Sequence, residues 1–270
     1  MTGTGTQTDP YIVSTWEDFK TAISTNGAYV ELDADIDMNE EAPEGISKID
    51  VNNVTLDGKN HAIKNLVAND GFLHSGTRNS NSYISDLKIL NFVNRGTNNL
   101  IKLTNSVTIY FQHCTIIGIN ASTAKTITVD SGGSSTPASH IYFTATDEDG
   151  CLLNINICSG GFASGNIDIT DSYVKLSGEK WTDSNSWHLN NSYVEGKISG
   201  SKFENCYNSV IDAECPDNSN FTVSNCSNLL VNTDKFTGTF STETGIKKVK
   251  AEQLIDAEYL ESIGFPIGVE

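Results

Sequence analysis

The residues able to do chemistry in this chain are mostly carboxylates and amides, so hydrolysis and metal binding are the first chemistries to consider. Glycosidic hydrolysis needs two or three carboxylates gathered so that one gives a proton and another accepts one or attacks. The chain has no Asp-Asp pair, and the one suggestive triplet, Asn232-Thr233-Asp234, runs on into Lys235 and Phe236. With so much Asn and Asp, a single triplet is expected by chance. Elimination would need an Arg or Lys base beside carboxylates that hold calcium. The two arginines, Arg78 and Arg95, lie near no acidic cluster in sequence. Asp33, Asp35 and Asp37 open like a calcium loop with Glu44 at its twelfth position, but Met38 stands where the glycine must turn. Asp147-Glu148-Asp149-Gly150 is a better candidate for a weak cation site. The histidines (His61, His74, His113, His140, His188) show no ligand spacing, and the six cysteines (Cys114, Cys151, Cys158, Cys206, Cys215, Cys226) form no Cys-x-x-Cys pair. No phosphate loop, dinucleotide fingerprint or nucleophile elbow is present. The expectation is no catalytic residue, no cofactor and no metal ligand.

The elements that would position these residues are short strands separated by Asn, Ser, Asp and Gly. In Tyr29 to Met38, Val30, Leu32, Ala34, Ile36 and Met38 alternate with Glu31, Asp33, Asp35 and Asp37, which predicts one strand with an apolar face and an acidic face. Ile169-Thr170-Asp171-Ser172-Tyr173-Val174 recurs as Leu189-Asn190-Asn191-Ser192-Tyr193-Val194, and Phe203-Glu204-Asn205-Cys206 as Val223-Ser224-Asn225-Cys226. Phe111-Gln112-His113-Cys114 is a looser copy. A period near twenty residues built from strands and turns fits stacked coils, each unstable alone. Asn suits the corners because it tolerates left-handed backbone angles, and His113 occupies such a corner. Cys114, Cys206 and Cys226 share one repeat position and read as small buried thiols. The fold class expected is all-β, a single-stranded right-handed parallel β-helix with short capping helices at both termini. A β-sandwich is the alternative, but its hairpins should leave regularly spaced turn pairs. Asn26-Gly27, Asp57-Gly58, Asp70-Gly71 and Asp149-Gly150 are irregular.

Three segments are expected: 1–28 as an N-terminal arm and capping helix, 29–240 as the parallel β-helix, and 241–270 as a C-terminal capping or attachment segment. Ser14-Thr15-Trp16-Glu17 has capping-box spacing, with Ser14 as the cap, and Trp16, Phe19, Ala22 and Ile23 fall on one helical face. A second helix is expected from about Lys250 to Ile263, with Leu254, Ala257, Leu260 and Ile263 inward and Gly264 and Pro266 ending it. Ser131 to Ser139 reads as an inserted loop. The net charge of −17 argues against nucleic acid and anionic membrane as partners. The first ten residues carry no leader pattern, and no apolar run is long enough to cross a membrane, which points to synthesis in a cytoplasm.

Asp9 to Lys20, Tyr29 to Met38 and Val54-Thr55-Leu56-Asp57-Gly58-Lys59-Asn60-His61-Ala62-Ile63 together resemble the opening of pectin-lyase-like right-handed β-helix domains. Ala257 to Ile267 is similar to their tail. Polygalacturonases of this fold carry Asn-Thr-Asp followed by an Asp-Asp pair, Gly-His-Gly and Arg-Ile-Lys, and the last three are missing here. Domains with this opening and no catalytic motif resemble bacteriophage and prophage virion proteins. The resemblance implies a non-enzymatic structural protein located in the virion, an accessory or decoration protein on the capsid or tail, with other virion proteins as partners. Homo-oligomer formation and contact with a host surface glycan are further expectations. The alternatives are a tailspike-type polysaccharide depolymerase and a glycan-binding module using Tyr173, Tyr193, Trp181 and Trp187.

Overall fold

The computed structural model describes residues 1–95, 100–105, 107–120, 127–129, 140–144, 152–157, 162–163, 166–170, 173–178, 182–184, 186–216 and 219–265. The fold is all-β with parallel sheets. Among the described residues every pairing between named strands is parallel, and antiparallel contact is limited to two isolated bridges in the N-terminal arm, so a sandwich of hairpins does not apply. Each strand pairs with its counterpart one tier further along the chain, and the strands fall into three ladders. The first runs from Tyr11–Val13 through Tyr29–Leu32, Thr55–Asp57, Asn81–Ser85 and Thr108–Gln112 to Thr239–Phe240. The second runs from Ile36–Asp37 through Ala62–Lys64 and Lys88–Asn94 to Ile246–Val249. The third starts at Ile46–Asp50 and Val67–Ser75, and its last strand, Thr182–Ser184, merges onto the end of Tyr193–Gly200.

The expected Tyr29 to Met38 strand is divided between two ladders. Val30, Leu32, Ile36 and Met38 are all buried as predicted. However, strand Tyr29–Leu32 ends before Asp33, a corner follows, and Met38–Glu41 is a short helix capped by Asp37. Alternation survives the corner because the chain keeps the same core on its inner side.

The left-handed corners fall where Asn was expected to permit them. Asn53, Asn65, Asn191, Asn205, Asn208, Asn225 and Asn228 all have positive φ, as does His113 at φ 50. Their amides bind along the stack. Asn53 Nδ2 donates to Asn26 across 27 residues, Asn65 Nδ2 to Asp37 across 28, and Asn225 and Asn228 to Asn205 and Asn208 across 20. Gly245 is needed at φ 80, since a Cβ there would fall 1.8 Å from the carbonyl oxygen of Cys226.

At the N-terminal end, helix Trp16–Ile23 buries Trp16, Phe19, Ala22 and Ile23, and Trp16 meets Phe72 with ring centroids 6.4 Å apart. Its cap is Thr15, one residue later than expected, and Thr15 Oγ1 accepts from the Asp18 amide. At the other end Phe203 and Phe221 stack at 4.7 Å, and Phe236 and Phe240 add a second stacked pair beside Phe221. The expected C-terminal helix is two helices, Ala251–Leu254 and Ala257–Ser262, because Asp256 breaks the run and caps the second. Ala257 is exposed; Leu254, Tyr259, Leu260, Ile263 and Phe265 instead pack against the outward side of the second ladder at Tyr193, Val210, Leu230 and Val249. No described helix is long and apolar enough to cross a membrane.

Candidate functional site

The outward face of the first ladder carries the most distinctive row of side chains. Register places Tyr29, Thr55, Tyr83, Tyr110, Tyr142, Asp168 and His188 at one position in successive tiers. Tyr83 and Tyr110 alternate with inward Ile84, Ile109 and Phe111, so strand parity turns their rings outward. The two rings stack with centroids 4.7 Å apart and planes 3° from parallel. Tyr83 is 45% exposed, because the tier before it has Thr55 rather than a third ring at this position. The adjacent rows hold Asn81, Thr108, His140 and Asn166 on one side and Ser85, Gln112, Thr144 and Thr170 on the other. From Asn81–Ser85 through His140–Thr144 these rows hold no Asp, Glu, Lys or Arg, in a chain of net charge −17, and Asp168 follows one tier on.

Charge returns further along the same face. Glu204 receives Lys202 Nζ at 2.7 Å, lies 3.5 Å from His188 Nε2, and accepts from the hydroxyls of Ser186 and Ser224. Lys202 holds its carboxyl below the usual carboxylate range against the opposing effect of burial. On the second ladder, Asp212 accepts from Tyr193 Oη at 2.8 Å, Asn232 Nδ2 at 2.6 Å and Lys235 Nζ at 2.8 Å. Burial pushes the Asp212 carboxyl up, but these three donors outweigh it and the net shift is downward. A carboxylate held ionised in this way is poorly suited to donate a proton.

These contacts account for the residues that looked catalytic in sequence. Asn232 is buried and bonded to Asp212, while Asp234 receives Lys250 Nζ and the Ala251 amide, where it anchors the C-terminal helices. Asp35 binds the Ala62 amide and Lys64 of the next tier, and Asp37 binds Asn65, so neither belongs to a calcium loop. Arg78 and Arg95 are exposed on separate turns. Cys114, Cys206 and Cys215 are buried and Cys226 is half-buried; Cys151 and Cys158 lie outside the described residues, as do Asp147 to Gly150 and Ser131 to Ser139. His113 contacts Asp86 at 3.3 Å across one tier, a structural role. No cluster of three metal-ligating side chains occurs among the described residues.

Two of the four aromatic residues singled out for sugar binding, Trp187 and Tyr193, are not where that reading needs them. Trp187 is fully buried and its Nε1 donates to the Ser199 carbonyl. It shares parity with Leu189, a signal in the sequence that marks it as inward. Tyr193 lies under the C-terminal helices and hydrogen-bonds Asp212. Tyr173 sits opposite Tyr193 in register, and Trp181 lies outside the described residues. Tyr83 and Tyr110 were missed because their tiers do not share the twenty-residue period that revealed the other repeats.

No protein-family model and no curated protein matches the chain. Among solved structures it is similar to a Bacteroides ovatus protein provisionally named an immunoglobulin A1 protease, at 15% identity and a TM-score of 0.44, over 97% of this chain and 89% of that one. A likeness at that level says nothing about the activity of this chain.

Proposed function

We propose that the three ladders wind as a single-stranded right-handed parallel β-helix, and that this solenoid is a non-enzymatic structural protein of a bacteriophage virion, an accessory or decoration protein on the capsid or tail surface. Right-handed winding follows from the strong chiral preference of parallel strand-crossover-strand connections. The observation that carries the structural role is where the outward polar groups are engaged. Asp35, Asp37, Glu204, Asp212 and the corner asparagines bind side chains or amides of neighbouring tiers, so they brace the stack. A braced, acidic rod resists local unfolding and suits an exposed appendage. The virion assignment itself is supported by the resemblance of the chain's opening and tail. Mass spectrometry of purified particles tests it: the chain is expected among the virion proteins, and its absence defeats the assignment. Release of reducing or unsaturated sugars from host capsule by the purified chain would defeat the non-enzymatic half.

A second reading, glycan binding without cleavage, is favoured by the uncharged tyrosine strip. Its hydroxyls and amides match a neutral polyol, and the open face of Tyr83 offers one stacking platform. A neutral-glycan array should then show binding that Tyr83→Ala abolishes.

A further inference from the structure

We propose that Cys206 and Cys226 form an oxidation site, at which a low-molecular-weight disulfide converts the two thiols into a covalent link between successive tiers. The two residues occupy the same corner one tier apart: Tyr207 pairs with Ser227, and the Ser227 amide donates to the Cys206 carbonyl at 2.9 Å. Neighbouring positions in such a ladder lie about 4.8 Å apart, inside the Cα separation of about 4.4–6.8 Å that a disulfide accepts. The two thiols lie close enough that each is the largest influence on the other's titration. Access is one-sided. Cys206 is fully buried with its Sγ 3.3 Å from the Trp187 carbonyl, whereas Cys226 is half-buried.

That asymmetry assigns the roles. The neighbouring Cys206 thiol pulls the Cys226 thiol below its ordinary value, while Cys226 and burial push Cys206 well up. Cys226 is therefore the attacking thiolate. Its sulfur attacks one sulfur of the reagent disulfide, and a reagent thiolate leaves and takes up a proton. Cys206 then attacks Cys226 Sγ in the mixed disulfide, and the second reagent thiolate leaves with the Cys206 proton. Two protein thiols and one reagent disulfide become one protein disulfide and two reagent thiols. Burial pushes the Cys114 thiol up to about 12.

The test treats the reduced full-length protein with excess oxidised glutathione, blocks remaining thiols by alkylation, and maps peptides by mass. The expected product is a Cys206–Cys226 linked peptide with the mass of two hydrogens lost and no retained glutathione. Cys206→Ser should stop at a glutathione adduct on Cys226, and Cys226→Ser should leave Cys206 unmodified. Wild-type protein that keeps both thiols alkylatable, or ends as a stable glutathione adduct on Cys226, overturns the proposal, and this arm does not depend on either variant folding.

Discussion

The first half of the molecule and the second are built from tiers of different size. From Tyr29 to about Leu103 each tier supplies a strand to all three ladders, and register partners lie 22 to 28 positions apart. Beyond Gly200 each tier supplies two strands, and equivalent residues lie 17 to 20 positions apart. The early tiers spread their core aromatic rings along the stack, at Phe72, Phe92 and Phe111. The narrow tiers concentrate theirs in one stacked cluster at Phe203, Phe221, Phe236 and Phe240. A thinner cross-section buries less apolar surface per tier. It is reinforced by continuous polar ladders, Asn191–Asn208–Asn228–Lys247 and Tyr193–Asp212–Asn232, and by the tail packed on its side. Wide tiers combine a broader core with corner contacts such as Asn53 to Asn26 and Asn65 to Asp37, and narrow ones rely more on corner ladders that continue over several tiers.

The comparison breaks most readily at Phe221. Phe221→Ala removes a fully buried ring from the narrow cluster and should cost about 3–5 kcal/mol. Because tiers contact chiefly their neighbours, amide exchange should accelerate from Lys202 to Phe240 while Thr55–Asp57 and Asn81–Ser85 stay protected. Equal acceleration along the whole chain would erase the distinction.

Asp212→Ala should cost about 2–3 kcal/mol, since it removes a charge-assisted acceptor and leaves Asn232 and Tyr193 unsatisfied. The folded carboxyl titrates below its ordinary 3.8, so its contribution is fully present above that value and is lost as pH falls through the lower folded one. Chemical denaturation at neutral and at strongly acidic pH should show the gap between wild type and variant closing on acidification. A gap that widens would show that Asp212 is held neutral.

The corner ladder is sharpened by two substitutions at Asn208, whose φ is 48. Asn208→Ala should be about 1 kcal/mol less stable than Asn208→Gly, because both lose the amide contacts and alanine alone is strained there. Equal losses would assign the whole effect to the hydrogen bonds. The smallest effect is expected in the wide region. Lys59→Ala breaks a surface pair with Asp57 and Glu31 and should shift the unfolding midpoint by less than about 1 kcal/mol.

The later tiers were the more legible in sequence. A step of twenty residues aligns Ile169 with Leu189, Cys206 with Cys226 and Tyr173 with Tyr193, and the first and last of these are register partners. Wide tiers hid their repeat, because a third strand and corners of changing length separate Tyr83 from Tyr110. Corners such as Asp33 to Asp35 also leave inward parity intact, so a break between ladders reads as one strand. The Asp212 contacts were illegible for another reason. They join residues from three separate strands and a following turn, and no local pattern marks such a convergence.

Distance between two positions on the first ladder tests the stacked arrangement most directly. Nitroxide labels on unnatural side chains at Thr55 and Ser224, which leave the cysteines untouched, span seven tier steps of the first ladder. At about 4.8 Å per step the account predicts a single distance distribution centred at about 34 Å. A main distance near half that value would mean that the two halves fold back on each other, and the continuous stack would be contradicted.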